Sequence, residues 1–458
     1  MRYLPLTADE QKQILDLCGA KNFEDLIQGI PEELRLKKLL DLPPALSEPE
    51  LIEHLETLAS KNTGATMQSH LGQGVYDHTW PSVIDQLTNR GEFLTAYTPY
   101  QPELSQGTLQ AIFEFQSCVA ELLGMEVANA SLYDGATSVL EAVLMAARTR
   151  PQNNAVVYLS EGVYPNTRKI LESCLADQGI EVRTWWSDPK SFLSTQKTFS
   201  DSSEEERPVA FVLQSPNRWG LIEDWNEVVA LSQKHKARSV AYVSHGLSLG
   251  LFETPGSAGV DIAVAEGQSF GIPVGFGGPH LGLFACKRAD IRQMPGRLVG
   301  ITEDSRGERA FCVTLSTREQ HIRREKATSN ICSNQNLMAL RALMYLTLMG
   351  PNGLSQVAKD CRSMAYYVRS ALKKKFASSK RELQVLEGEL FNEITLLAGP
   401  KESLWVDEKI SQAQELGVLI GLEVDVPKQS GFVKGLNIAF TERHRKEHLD
   451  KVIEILGA

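Results

Sequence analysis

A chain of 458 residues is too long for one simple core, so two or three packed units are expected. An apolar fraction of 42% and a charged fraction of 23% are ordinary for a soluble globular protein, and a net charge of −10 repels nucleic acid and anionic membrane, so neither is expected as a partner. The opening MRYLPLTADEQKQ has neither the apolar core nor the cleavage site of a signal peptide, no apolar run reaches the length of a membrane span, and the seven scattered cysteines include no C-x-x-C pair. A reduced, cytoplasmic setting is the resulting expectation.

Residues 1 to about 60 read as a helical arm, taken as a first unit over 1–65. Ser47 with Glu50 three residues on is a capping-box signature, and Leu51, Leu55, Leu58 and Ala59 follow at helical spacing. A second helix is predicted at about 106–123, with Leu109, Ile112, Phe113, Val119 and Leu122 on one face and Gly124 as its stop. From there to about 290, apolar strands alternate with helices: NAVVYL (154–159), EVRTWW (181–186), PVAFVLQ (208–214), RSVAYVS (238–244) and DIAVAE (261–266). Such alternation, with strands apolar on both faces, predicts a mainly parallel sheet covered on both sides, in a large α/β unit over 66–330. Ligands of such sheets sit at the carboxyl ends of strands. After Ser333 come two long helices, then strands near 382–387, 391–398 and 435–440 and a final helix from Thr441, a small α+β unit over 331–458. The polar run SDSSEEERP (200–208) reads as a surface loop.

Several stretches can carry chemistry. Asp134-Gly135-Ala136-Thr137 opens a strong helix, where free N–H groups and the helix dipole favour an anion, although Asp-Gly is also an ordinary cap. Tyr164 and Trp219 follow strands in turns containing Pro or Gly and can offer a π face to a cofactor or serve as packing lids. HRKEH at 444–448 matches the H-x-x-E-H zinc pattern but lacks a third ligand; it reads as the solvated face of a terminal helix, and no metal centre is expected. GFGGPHLG is no dinucleotide loop, because it leads into another strand. The stretch 316–336 carries Arg318, Arg323, Arg324 and Lys326 ahead of Thr328-Ser329-Asn330 and suits either a phosphate or carboxylate site or a solvated connector.

Five long motifs occur in order: LGQGVYDH, TAYTPYQPELSQGTLQAIFEFQS, ANASLYDGATS, AEGQSFGIPVGFGGPHLG and TREQHIRREKATSNIC. Together they resemble the amino-terminal half of the glycine decarboxylase family, the P-proteins of the glycine cleavage system, from about residue 4 to the end. The resemblance implies a fold-type I architecture of pyridoxal-phosphate (PLP) dependent transferases: a large domain with a mainly parallel sheet and a small α+β carboxyl-terminal domain. It implies two paired halves, here separate subunits in an α2β2 assembly, acting on glycine with release of CO2 and passing the aminomethyl group to lipoylated H-protein. The cofactor-binding half carries a lysine where this chain has Gln268, and an aspartate for the pyridine nitrogen where it has His245. A carboxamide forms no imine, so PLP is expected to be held covalently by the partner, subunit 2, and this chain is expected to be inactive alone. Lys287 is the nearest other amine and reads as a surface charge. Residues completing the partner's site in trans are expected among Tyr97, Tyr100, Gln101, Thr328, Ser329 and Asn330. The alternative is a non-catalytic homodimeric scaffold or regulator derived from a PLP enzyme.

Overall fold

The computed structural model describes residues 6–38, 40–151, 154–185, 208–427 and 431–457. The polar run at 200–208, up to its last residue, and Trp186 lie outside them. Two compact units are present, Met1–Ala65 and Thr66–Ala458. The first holds the helices Ala8–Leu17, Phe23–Leu26 and Glu48–Ser60, none with a buried residue. Each begins at a capping box, Thr7 with Glu10, Asn22 with Asp25 and Ser47 with Glu50. The predicted box at Ser47 is therefore present: the Glu50 carboxylate accepts from Ser47 N at 2.8 Å and Oγ at 2.6 Å.

The second unit is built on a seven-stranded sheet. Its spatial order is Ile180–Trp185, Ala155–Ser160, Pro208–Ser215, Arg238–Val243, Ile262–Glu266, Gly282–Cys286 and Val127–Ala128. All pairings are parallel except those of Gly282–Cys286, which runs against both neighbours. Both faces are covered, as the unbroken apolar strands predict. Phe211, Leu213, Ala241, Val243, Ala263 and Ala265 point into one core, and their strand neighbours Ala210, Val212, Val240, Tyr242, Ile262 and Val264 into the other. Four further strands, Leu383–Val385, Glu393–Ala398, Lys434–Ala439 and Leu422–Val424, form an antiparallel sheet in that order. The helices Trp405–Glu415 and Lys446–Gly457 supply residues to its core.

The predicted helix at 106–123 is present as Gln106–Leu123 and ends at Gly124, whose φ of +68° gives the left-handed cap. Its buried stripe differs: Phe115, Gln116 and Leu123 join Leu109, Ile112 and Val119, while Phe113 and Leu122 are half-buried. The two long helices expected after Ser333 run on as Asn336–Ser378, interrupted at Gly350 (φ +59°) before Pro351. The terminal helix begins at Lys446 rather than Thr441, which takes His444 off it. His444 is buried, stacks on His70 with ring centroids 4.0 Å apart and bonds Ser69 O at 2.8 Å, so HRKEH is not a solvated helical face.

Candidate functional site

The site lies where the parallel strands end, as the architecture dictates. The strand Ile262–Glu266 delivers Glu266 and then Gln268; Arg238–Val243 delivers Ser244 and His245. Gln268 is 2% exposed. Its Nε2 donates to Tyr76 O at 3.1 Å and Ile272 O at 2.7 Å, while Oε1 accepts from Tyr76 N at 3.2 Å. Every polar atom of the amide is thereby used, and the carboxamide stitches the LGQGVYDH segment to the Gly-rich loop. His245 is buried beneath Tyr76, their rings stacked 4.0 Å apart. Its Nε2 faces His78 Nε2 at 2.9 Å and its Nδ1 faces Asn392 Oδ1 at 3.2 Å. Burial, reinforced by His78, holds the His245 imidazole well below its ordinary pKa, so the ring is neutral.

Two buried carboxylates complete the site. Glu266 accepts from Gly135 N and Gln268 N, each at 2.9 Å, and pairs with His280 at 3.3 Å. That hydrogen bond raises the His280 pKa. Glu393 accepts from Gln73 N at 2.8 Å and the Tyr76 hydroxyl at 3.0 Å; burial pushes its pKa up to about 7. The Tyr76 hydroxyl also meets that of Tyr164 at 3.3 Å. A cavity of about 490 Å³ opens beside this group, lined by Asp134, Ala136, Tyr164, Tyr242, Glu266 and His280 among others.

These residues do not fit a PLP molecule. No amine stands at 268, Tyr76 covers the face of His245, and Glu266 holds an N–H of the helix start that would receive a phosphate. The cavity presents Asp134 and Glu266, the wrong sign for a phosphate. Asp134 itself caps the helix Gly135–Thr149, accepting from Thr137 N at 2.7 Å. At Asp134–Thr137 the capping role is the one realised, and the anion is the protein's own.

Residues 1–456 match the family described as glycine cleavage system P-protein. This chain belongs to that family. Two relatives named "Probable glycine dehydrogenase (decarboxylating) subunit 1" agree with this. That of Bacillus pumilus is 41% identical over 100% of this chain and 98% of its own length. That of Moorella thermoacetica is 46% identical over 86% of each. A crystal structure of glycine decarboxylase (P-protein) of the glycine cleavage system, in inhibitor-bound form, superposes with a TM-score of 0.85 at 40% identity, covering 100% of this chain and 99% of that one. Glutamate decarboxylase of Lactobacillus brevis shares the fold alone, at 12% identity and a TM-score of 0.67 over 94% of this chain and 96% of that one. The architecture is the fold-type I one of PLP-dependent enzymes. Among the described residues no helix is long and apolar enough to cross a membrane.

In this P-protein family chain, several of the other residues singled out by sequence have partners of their own. Tyr97 is 83% exposed and Gln101 is exposed. Tyr100 accepts from Arg297 at 3.0 Å and lies under its guanidinium. Arg318 is buried and donates to the carbonyls of Leu315, Gly296 and Met294, so it fastens its own loop rather than offering charge to a ligand. Thr328 N donates to Arg318 O at 2.8 Å, Ser329 Oγ accepts from Ile331 N at 3.0 Å, and Asn330 Oδ1 accepts from Gln320 at 3.3 Å. Trp219 is a packing residue, buried with Leu221, Leu386 and Leu397. Lys287 pairs with Asp261 at 2.7 Å and is no anchor. The residues that sequence reasoning missed are Tyr76, His78 and Glu393. The first two lie in LGQGVYDH, a signal only in hindsight; nothing local marks Glu393.

Proposed function

We propose that this chain is the coenzyme-free first subunit of a two-chain glycine decarboxylase. A second, lysine-bearing subunit holds PLP, releases CO2 from glycine and passes the aminomethyl group to lipoylated H-protein. The observation that carries the reading is Gln268: a neutral amide at the lysine position, buried and hydrogen-bonded at both ends. When bound in its own subunit, PLP supplies the electron sink for loss of CO2. This chain's part is to wall that site and to complete it in trans through Tyr97, Tyr100, Gln101 and Thr328-Ser329-Asn330. Exposure of Tyr97, Tyr100, Gln101 and Asn330 supports that role, since they are free to meet another chain. Residues 66–330 then act as the large domain and 331–458 as the small one, in an α2β2 assembly within the cytoplasm.

Glycine–bicarbonate exchange tests this directly, with and without a co-expressed lysine-bearing chain. Exchange is expected only when both are present, and borohydride is expected to fix no pyridoxyl group on this chain. A pyridoxyl-lysine peptide from it, or exchange by it alone, would sink the reading.

A further inference from the structure

A second cluster, behind His245, has no role in that reading. His78, Cys361 and Glu442 bring one donor atom each to within 4.8 Å of one another. The His78 Nδ1 to Glu442 Oε2 distance is 2.7 Å, and Cys361 Sγ lies 3.4 Å from the same oxygen. They come from three separate places: the loop after LGQGVYD, the long helix Asn336–Ser378, and the turn before the terminal helix. His78 and Glu442 are 364 residues apart in sequence. Imidazole, thiol and carboxylate are the ligand types of a tetrahedral zinc centre.

We propose that His78 Nδ1, Cys361 Sγ and Glu442 Oε2 form a site for one zinc-type divalent cation. Three protein ligands leave the fourth position to water or another small ligand.

Metal–ligand bonds of about 2.0–2.3 Å at tetrahedral angles place donor atoms roughly 3.3–3.8 Å apart. The sulfur–oxygen pair already meets this, and the nitrogen–oxygen pair needs to open by about 0.6 Å. The outer hydrogen bonds are also in place. A ligating histidine normally has its second ring nitrogen tied down. Here His78 Nε2 is bonded to His245, and His245 Nδ1 to Asn392 Oδ1. The Asn392 amide is fixed in turn, because its Nδ2 donates to Phe440 O at 3.2 Å. The spare oxygen of Glu442 accepts from Thr79 N at 2.6 Å and Thr79 Oγ1 at 2.8 Å. Only the inward atoms remain for a cation.

Charge balances as well. With Asn392 Oδ1 accepting from His245 Nδ1, the proton between the two Nε2 atoms belongs to His78, which leaves its Nδ1 facing Glu442 as the ligating nitrogen. A dication held by neutral imidazole, thiolate and carboxylate, with the Cys361 thiol proton released on binding, leaves the occupied site neutral. No redox step is involved, and the occupied site buries no uncompensated charge. Thr79 is exposed and the Glu442 side chain is 13% exposed, which gives the ion its entrance.

Co2+ is the probe, titrated into the chelator-stripped full chain in which the exposed Cys18, Cys174 and Cys332 are replaced by serine. One equivalent is expected to bind with a thiolate-to-cobalt charge-transfer band and the visible bands of tetrahedral cobalt, both abolished by Zn2+. Cys361→Ser should remove the charge-transfer band, and His78→Gln and Glu442→Gln should each weaken binding at least tenfold. Zn2+ should raise the thermal midpoint of the parent and of none of these variants. Absence of the charge-transfer band in the parent at saturating Co2+ overturns the site, and that result needs no variant to fold. So does a band that persists in Cys361→Ser. Neither result bears on glycine–bicarbonate exchange, so this site and the proposed subunit role stand or fall separately.

Discussion

The ring of Tyr76 stacks on the imidazole of His245, centroids 4.0 Å apart and 19° from parallel, while the Tyr76 backbone is gripped by the Gln268 amide. One residue thus covers His245 with its ring and is held through its backbone by Gln268.

An amine at position 268 is not expected to create a coenzyme site. In Gln268→Lys the ammonium can donate to the carbonyls of Tyr76 and Ile272, but Tyr76 N–H loses its acceptor. An unpaired buried donor costs about 1–3 kcal/mol, and burying the charge adds to this. We expect a lower unfolding midpoint in urea and no glycine–bicarbonate exchange by the variant alone, since His245 and Tyr76 remain. Exchange near the two-chain level would refute this.

Glu393 gives stability a pH dependence. Its pKa is raised from 4.5 to about 7 by burial, so between those values the folded state binds more protons than the unfolded one. Its contribution is fully present below the unfolded value and is lost as pH rises through the folded one. Each tenfold difference in proton affinity between the two states is worth about 1.4 kcal/mol, so the loss reaches roughly 3 kcal/mol. Thermal midpoints measured across this window should fall less steeply for Glu393→Gln than for the parent; parallel profiles would count against the assignment.

Gly135 is constrained by its neighbours. A Cβ there would lie 2.8 Å from the Tyr242 hydroxyl, 2.9 Å from its ring and 3.1 Å from Glu266 Cβ. Gly135→Ala should therefore destabilise by about 1–3 kcal/mol through overpacking. Gly107→Ala, at a helical position with nothing within 4 Å, should do the opposite by about 0.5–1 kcal/mol. Chemical denaturation of both variants checks the contrast in sign.

The segment Thr328–Asn330 is the test of completion in trans. Thr328→Ala with Asn330→Ala leaves the Thr328 N–H to Arg318 bond intact and removes the side-chain donors. Assembly should persist while PLP retention by the partner subunit falls about ten- to a hundredfold, as for one charge-assisted hydrogen bond of roughly 1.5–3 kcal/mol. Equilibrium dialysis of the assembled complex measures it, and unchanged retention assigns the segment to structure.

The sequence by itself determined the elements and one chemical fact. Strands such as PVAFVLQ, caps such as Asp134 and stops such as Gly124 are decided by side-chain periodicity and backbone preference within a few residues, so they are legible locally. Gln268 was legible for the same reason, because the absence of an amine needs no geometry. Only the tertiary structure decided how the site is filled. Glu266 meets Gly135 across 131 residues, Tyr76 meets Glu393 across 317, and His78 meets Glu442 across 364. Those pairings are set by how the tertiary fold brings distant loops, strand ends and a helix start together, and no local pattern encodes that arrangement. His444 and Arg318 show the same limit: each looks like a surface group in its own segment and is buried because packing supplies the acceptors that offset the loss of water.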